Sequence, residues 1–311
     1  MASKPLTVVG LGEALFDVFP DRRVLGGAPL NVAVHAHQLL KAVGGRGVVA
    51  SRVGNDELGK QLIAELSRRG MTANYVQTDE ERPTGQVFVT FDGARHSFEI
   101  AKDSAWDALQ VESSMAELAA DCDAVCFGTL GQRSATARAA IGEFLNSAGA
   151  AVRLFDVNLR QHYFDAEVIR ESCQAATAVK LNDEELPVVA RLLGLEEAAE
   201  TPDEAITLQA DRLRRAFDLE FVALTRGEHG TVLFTESGRF EAEPVRYPTD
   251  RNADSVGAGD ACAAGLLVGR LLGWPAERQI WLANRAGAFV ASVAGATPDL
   301  PDEVLEMVAR G

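Results

Sequence analysis

From residue 120 onward the chain alternates between short apolar runs and longer segments of helical length, and this rhythm constrains the fold more than any other feature. The runs at 124–128, 151–155, 178–181 and 221–225 are of strand length, with helical stretches at 133–148, 166–176 and 203–217. A strand covered on both faces reads as a continuous apolar run, so the pattern predicts an α/β chain built on a doubly wound, mainly parallel sheet flanked by helices. The first third carries the same signal. Leu6–Leu11 reads as a buried strand, Pro29 opens a helix through Leu40, and 47–53 and 56–69 read as strand and helix. Helices at 258–272 and 276–293 follow a second hairpin-like region at 231–247.

Residues 84–100 break the rhythm. Val87, Val89 and Phe91 alternate with Gln86, Phe88 and Thr90, then Asp92-Gly93 makes a two-residue turn and 97–100 resumes a strand. That is a hairpin signal. With 16–25 it predicts a small antiparallel sheet inserted into one domain spanning 1–311. The segment 194–204 reads as a solvated acidic loop.

Charge narrows the function. Thirty basic residues stand against 45 acidic ones, a formal charge of −15, which argues against a nucleic-acid or anionic-membrane surface. It leaves an anionic small substrate open, because local arginines can still build a positive pocket. No apolar run approaches the roughly 20 residues that span a bilayer. The N-terminal apolar stretch is interrupted by Glu13 and Asp17 and does not read as a signal peptide, so a cytoplasmic protein is expected. Cys122, Cys126, Cys173 and Cys262 are too scattered for a disulfide framework and read as reduced structural thiols. The five histidines, 35, 37, 96, 162 and 229, show no metal spacing.

In open α/β sheets ligands bind beyond the carboxyl ends of the strands. Asp156, Asn158 and Arg160 follow one predicted strand, Asn182 and Glu185 the next, and Arg226, Gly227 and Gly230 the third. Any one such cluster is no more than a soluble strand end; three in succession point to a shared rim. The sharpest signal is Asp254-Ser-Val-Gly257-Ala258-Gly259-Asp260, opening a helix. Glycines admit close approach of a ligand, and helix-start amides bind anions. An acid there repels a bound phosphate unless it takes the proton of an attacking hydroxyl as a phosphoryl group moves. Asp260 as a plain helix cap leaves the glycine run unexplained. Gly26-Gly27-Ala-Pro-Leu-Asn31 is a second cluster, where paired glycines let a ligand lie against backbone and Asn31 offers a donor and an acceptor.

Two stretches mislead. Gly54-Asn-Asp-Glu-Leu-Gly59-Lys60-Gln61 nearly spells a Walker A loop, but Gln61 replaces the Ser or Thr that holds magnesium. Gly10-Leu-Gly12 lacks the third glycine of a dinucleotide fingerprint, which leaves an oxidoreductase the weakest reading.

Taken together, these motifs resemble the ribokinase-like (PfkB) carbohydrate kinases over essentially the full length. The N-terminal signature matches Gly26-Gly27 through Asn31 with Gly54, Asp56 and Gly59, and the C-terminal signature matches Asp254–Asp260. Asn182-Asp-Glu-Glu185 and Thr225-Arg-Gly227-Glu-His-Gly230 match its internal motifs. The resemblance implies a β-sheet lid, formed by 16–25 and 84–100, over a sugar site. It implies sugar contacts from Asp17, Gly26, Gly27 and Asn31, and Asp260 as base with the amides of 257–260 as anion hole. Arg160 would reach the transferred phosphate. ATP would lie along Asn182, Thr225, Gly227, Gly230 and Asn284, with Mg2+ organised through water by Glu185 and Asn182. Ser255-Val256 departs from the usual threonine-bearing pair, which leaves a K+ ion beside the Asp254 loop an open question. Gly12–Asp17 and Gly26–Pro29 look most like bacterial fructokinases.

Fructose, phosphorylated at its 6-OH, is therefore the expected substrate. A sugar acid such as 2-keto-3-deoxygluconate is the alternative, for which Arg22, Arg95 and His96 are candidate cations. A non-catalytic sugar- or nucleotide-binding relative is the other, against which the intact Asp260, Gly257, Gly259 and Glu185 speak. Apolar residues on both faces of the 84–100 hairpin predict a homodimer through the lid.

Overall fold

The computed structural model describes residues 4–92, 95–196 and 199–310, with 89–92 and 95–97 described by backbone alone. The elements run β1 (Thr7–Leu11), β2 (Leu15–Val18), β3 (Arg23–Gly26), α1 (Ala28–Leu40), β4 (Arg46–Gly54), α2 (Glu57–Arg68), β5 (Val76–Asp79), β6 (Gly85–Asp92) and β7 (Arg95–Ile100). Then come α3 (Ser113–Asp121), β8 (Ala124–Gly128), α4 (Ala135–Ser147), β9 (Val152–Asp156), α5 (Ala166–Ala175), β10 (Ala178–Asn182), α6 (Glu185–Leu193), α7 (Pro202–Ala216) and β11 (Phe221–Thr225). The last are β12 (Thr231–Thr235), β13 (Gly238–Glu241), α8 (Ala258–Leu271), α9 (Ala276–Val290) and α10 (Asp302–Ala309).

Among the described residues, β13-β12-β11-β10-β9-β8-β1-β4-β5 form one nine-stranded sheet. Its strands are parallel except at β11–β12 and β12–β13, which are antiparallel. The expected α/β architecture is what the chain adopts. The strand interior is buried on both faces, and residue parity assigns each side chain to one of them. Val9, Val125, Phe127, Phe155, Val179 and Val222 face α3 to α7. Val8, Ala124, Cys126, Leu154, Ala178 and Ala223 face α1 and α8 to α10. The second set is small. Small strand residues let α8, itself rich in alanine and glycine, lie close to the sheet, and α8 packs on α9 so tightly that a methyl group on Gly265 would sit 2.7 Å from Ala283 Cα. This packing carries the N-terminus of α8 to the carboxyl rim of the sheet.

β3-β2-β6-β7 form a separate four-stranded sheet. It is mixed, not antiparallel: β2 and β6 run parallel, from Leu15↔Gly85 to Val18↔Phe88. A hairpin signal is local and reports β6–β7, whereas the β2–β6 partnership joins distant segments. The connection between Asp92 and Arg95, where the Asp92-Gly93 turn was expected, lies outside the described residues. The 231–247 region is shorter than read, since strand ends at Glu241.

The near-Walker stretch has a structural job. Asp56 caps α2, its Oδ1 accepting from Gly59 N at 2.8 Å. The same carboxylate accepts from Thr84 N and Thr84 Oγ1 at 2.8 and 2.7 Å, immediately before β6. Burial pushes this carboxyl up, but the bonds from Thr84, Gly59 and Leu58 together outweigh it and hold it below the ordinary Asp value. Asp56→Ala is expected to lower stability by about 2 kcal/mol, because a helix cap and the root of β6 are lost together. The check is urea unfolding; an unchanged midpoint would mean that the root is held elsewhere.

Candidate functional site

The rim of the large sheet gathers residues from both ends of the chain. The turn after β3 places Gly27 at φ 105, with a would-be Cβ only 2.4 Å from Glu13 O, so only glycine fits there. Gly27 leads into α1, and one turn on, Asn31 Nδ2 donates to Asp260 Oδ2 at 2.8 Å. Both side chains are buried. The bond joins α1 to the first turn of α8 and fixes the direction of the carboxylate. Asn31 Oδ1 has no partner among the described residues, so an acceptor is left for a ligand.

Gly257, at φ 79, is the N-cap of α8, and Ala258 and Gly259 make its first turn with Asp260. The Asp260 carboxyl is pushed up to about 6, first by burial and then by Asp156, against the Asn31 bond and the charges of Lys180 and Arg160. Asp17 on β2 is also pushed up to about 6 by burial, with Arg160 pulling the other way and Asp254 adding to the rise. Asp17 Oδ2 would stand 2.7 Å from a methyl group on Gly26, so that glycine leaves room for the carboxylate. Arg160 is exposed, and its field reaches Asp17, Asp260 and Glu13. The predicted sugar and base residues therefore cluster. Asp17, Leu15 and Val87 share one face of the small sheet by register, and Leu15 and Val87 pack with Trp106 and Leu130.

Asn182 and Glu185 do converge, though by bonding each other's backbone. Glu185 Oε2 accepts from Asn182 N at 2.9 Å, and Asn182 Oδ1 accepts from Glu185 N at 2.8 Å. This is the reciprocal pattern of a capping box. Glu185 Oε1 accepts from Leu159 N at 2.8 Å, which ties the strand end before Arg160 to α6. Thr225 pairs in register with Asn182 across β10–β11. Gly227 and Gly230 bound a single tight turn. Asn284 on α9 accepts from Thr231 N at 3.0 Å through Oδ1, while its buried Nδ2 has no partner among the described residues and lies beside Gly230. Asp254 Oδ1 accepts from Val256 N at 3.2 Å and Oδ2 from Gly295 N at 3.4 Å, closing the loop before Gly257. Of the alternative cations, the side chains of Arg95 and His96 lie outside the described residues.

Two residues of the rim, Glu13 and Lys180, were not singled out as site residues in the sequence, and Asp156, marked there as a rim residue, has Lys180 as its partner. Glu13, buried in the turn after β1, is pushed up to about 7, mainly by burial and partly by Asp260; its backbone and Ala28 N–H groups and Arg160 pull the other way. Asp156 and Lys180 form a buried ion pair, Nζ to Oδ1 2.9 Å. The signal for Lys180 was present, a charged residue inside an otherwise apolar strand run.

This arrangement holds an oriented, buried carboxylate beside helix-start amides, with a second carboxylate on the small sheet. A family model described as "pfkB family carbohydrate kinase" matches residues 13–303. A fructokinase of Klebsiella pneumoniae is 30% identical over 94% of this chain and 95% of its own length. A 2-dehydro-3-deoxygalactonokinase of Haloferax volcanii is also 30% identical, over 92% of this chain and 87% of its own. The fold is similar to that of a Xylella fastidiosa fructokinase solved with bound ATP, with TM-score 0.81, 22% identity and coverage of 98% of each chain.

Proposed function

The chain belongs to the pfkB family of carbohydrate kinases and is a sugar phosphotransferase, and on that premise we propose that it moves the γ-phosphate of ATP to the 6-OH of D-fructose. The observation that carries this reading is the Asn31–Asp260 bond, which aims a buried carboxylate at the mouth of a glycine-rich helix start. Asp260 takes the proton of the attacking hydroxyl. The amides of 257–260 receive the charge of the transferred phosphoryl group, with the helix dipole behind them. Arg160 reaches the same group from the loop after β9, on the same rim. Asp17, Gly26, Gly27 and Asn31 hold the sugar, and the small sheet acts as its lid. Asp260 must be ionised to act, so activity falls as pH drops through about 6.

Asn182, Thr225, Gly227, Gly230 and Asn284 line the nucleotide side. An outer-sphere role fits Glu185, because each of its oxygens accepts one amide bond and keeps a lone pair for water. Bound Mg2+ would neutralise charge on the phosphates. A K+ ion beside Asp254 belongs to the same reading, supported by the long 3.4 Å bond that leaves Oδ2 weakly engaged.

Fructose is favoured by the Klebsiella relative; a sugar acid is favoured by the Haloferax relative and by the exposed Arg160 guanidinium near Asp17. An ADP-release assay over a sugar panel is expected to show fructose at least tenfold ahead of 2-keto-3-deoxygluconate and ribose in kcat/KM, about 1.4 kcal/mol of discrimination. Preference for the sugar acid would overturn fructose and leave the kinase. The lid also exposes Phe88 and Phe98, 40% and 56% accessible, and a second copy of the chain is their proposed cover. Sedimentation is expected to find a dimer at micromolar concentration, and a monomer would refute it.

A further inference from the structure

Beneath the loop that carries Asp260 lies a charge pair that the mechanism above leaves idle. Lys180 on β10 and Asp156 on β9 stand opposite each other across adjacent parallel strands. Lys180 Nζ is 2.9 and 3.0 Å from the two carboxylate oxygens, and the side chains are 6% and 4% exposed. Both lie two residues beyond members of the layer that α8 covers, Ala178 and Leu154, and so share its face. A methyl group built on Gly259 would sit 3.4 Å from Lys180 Nζ. The ammonium is therefore seated against the backbone of the anion loop.

Stability gives a weak reason for such a pair. Desolvation of two ions offsets most of their attraction, and apolar residues of similar volume serve as well or better. The same layer fills its neighbouring positions with Ala124, Cys126 and Ala223. A lysine and an aspartate in that company call for another role.

We propose that the Asp156–Lys180 pair is the electrostatic backing of the anion loop: Lys180 supplies a fixed positive charge behind the amides of 257–260, and Asp156 anchors that charge in place. The proposal rests on Asp260 being the base. Both members are positioning residues, acting through the loop and the base and not by contact with the sugar. Burial pulls the Lys180 amine down, but Asp156, by charge and hydrogen bond, together with Cys262 and Asp260 outweighs it and holds the group charged, well above the ordinary lysine value. On Asp260 the two partners act in opposite senses, Asp156 raising its proton affinity and Lys180 lowering it. The other groups facing Asp260 stay constant in this comparison: Asn31 from α1, Arg160 after β9 and Glu13 after β1. Cys126 on β8 and Cys262 on α8 are held as thiols, their ionisation pushed up by burial.

The test compares pH profiles of kcat/KM for the wild type, Lys180→Met, Asp156→Asn and the double variant Lys180→Met/Asp156→Asn, using the best sugar of the panel and with melting curves alongside. The acid limb is expected to move up in Lys180→Met and down in Asp156→Asn, by about half a unit or more each, with the double variant between them. A merely structural pair would move both limbs the same way or neither, and either result overturns the proposal. Each single variant strands a buried charge and risks the fold; the double variant strands none. It is expected to melt near the wild type and to turn over at least about tenfold more slowly, because the loop has lost its fixed cation. Wild-type turnover in a folded double variant overturns the proposal. An active Asp260→Asn removes the base reading and this proposal with it, whereas an inactive Asp260→Asn beside unshifted limbs removes this proposal alone.

Discussion

Asp260→Asn is expected to lower kcat by at least about 10²-fold while ATP binds nearly as before. The amide keeps the volume and the contact with Asn31 but cannot take a proton. The wild type should also lose activity as pH falls through about 6, the position to which burial and Asp156 push this carboxyl. The sign follows from the role: the group works when ionised, so acid abolishes it. The residual rate of Asp260→Asn should lack that limb. Steady-state rates from pH 5 to 8, with ATP affinity measured by calorimetry, check both parts. Near-normal turnover, or the same acid limb in the variant, would sink the assignment.

Gly257→Ala should be nearly as damaging, for a reason of shape. Gly257 sits at φ 79, and a Cβ there would lie 2.3 Å from Ala296 O. Backbone, not a flexible side chain, blocks the added methyl group. The loop has to turn, and its amides leave the anion they are meant to receive. Loss of such donors lowers rates by about 10² to 10³. We expect a drop in kcat of that order with the melting curve shifted by only a few degrees. A variant with full turnover would show that the anion loop tolerates another conformation. Ala296 O also accepts from His35 Nε2 at 3.0 Å, so a displaced loop would reach α1 as well.

The parts of this molecule that were legible in the sequence are those written locally. Apolar runs gave β8, β9, β10 and β11, and the glycine run before Asp260 gave the start of α8. What stayed hidden depends on partners far along the chain. β5, Val76–Asp79, mixes Val with Gln, Thr and Asp, and is a strand because β4 lies beside it. The small sheet looks antiparallel in the sequence because β6–β7 announces itself, while the parallel β2–β6 contact leaves no local mark. α6 was obscured because its first residue, Glu185, was assigned to a functional motif, although its side chain also closes a capping box. Lys180 carries a local mark, a charge inside an apolar strand run, but the Gly259 backbone it lies against is far along the chain. Asp260 and Asn31 each carry their own mark in the sequence; their bond joins residues 229 apart, and no pattern in either neighbourhood announces it.

That separation has a consequence for how the molecule comes into being. One face of the large sheet is covered by α1 at the start of the chain and by α8, α9 and α10 at the end. A nascent chain that has emerged only as far as β13 has all nine strands of the sheet, yet much of the alanine-lined face of β8, β10 and β11 still lacks its cover. The ribosome must deliver three of that face's four helices, α8 to α10, before that surface can leave water. The carboxylate at 260 arrives in the same stretch. Burial of that face and the arrival of the proposed base therefore come together, and a chain that stops at β13 leaves the face without α8 to α10 and lacks Asp260.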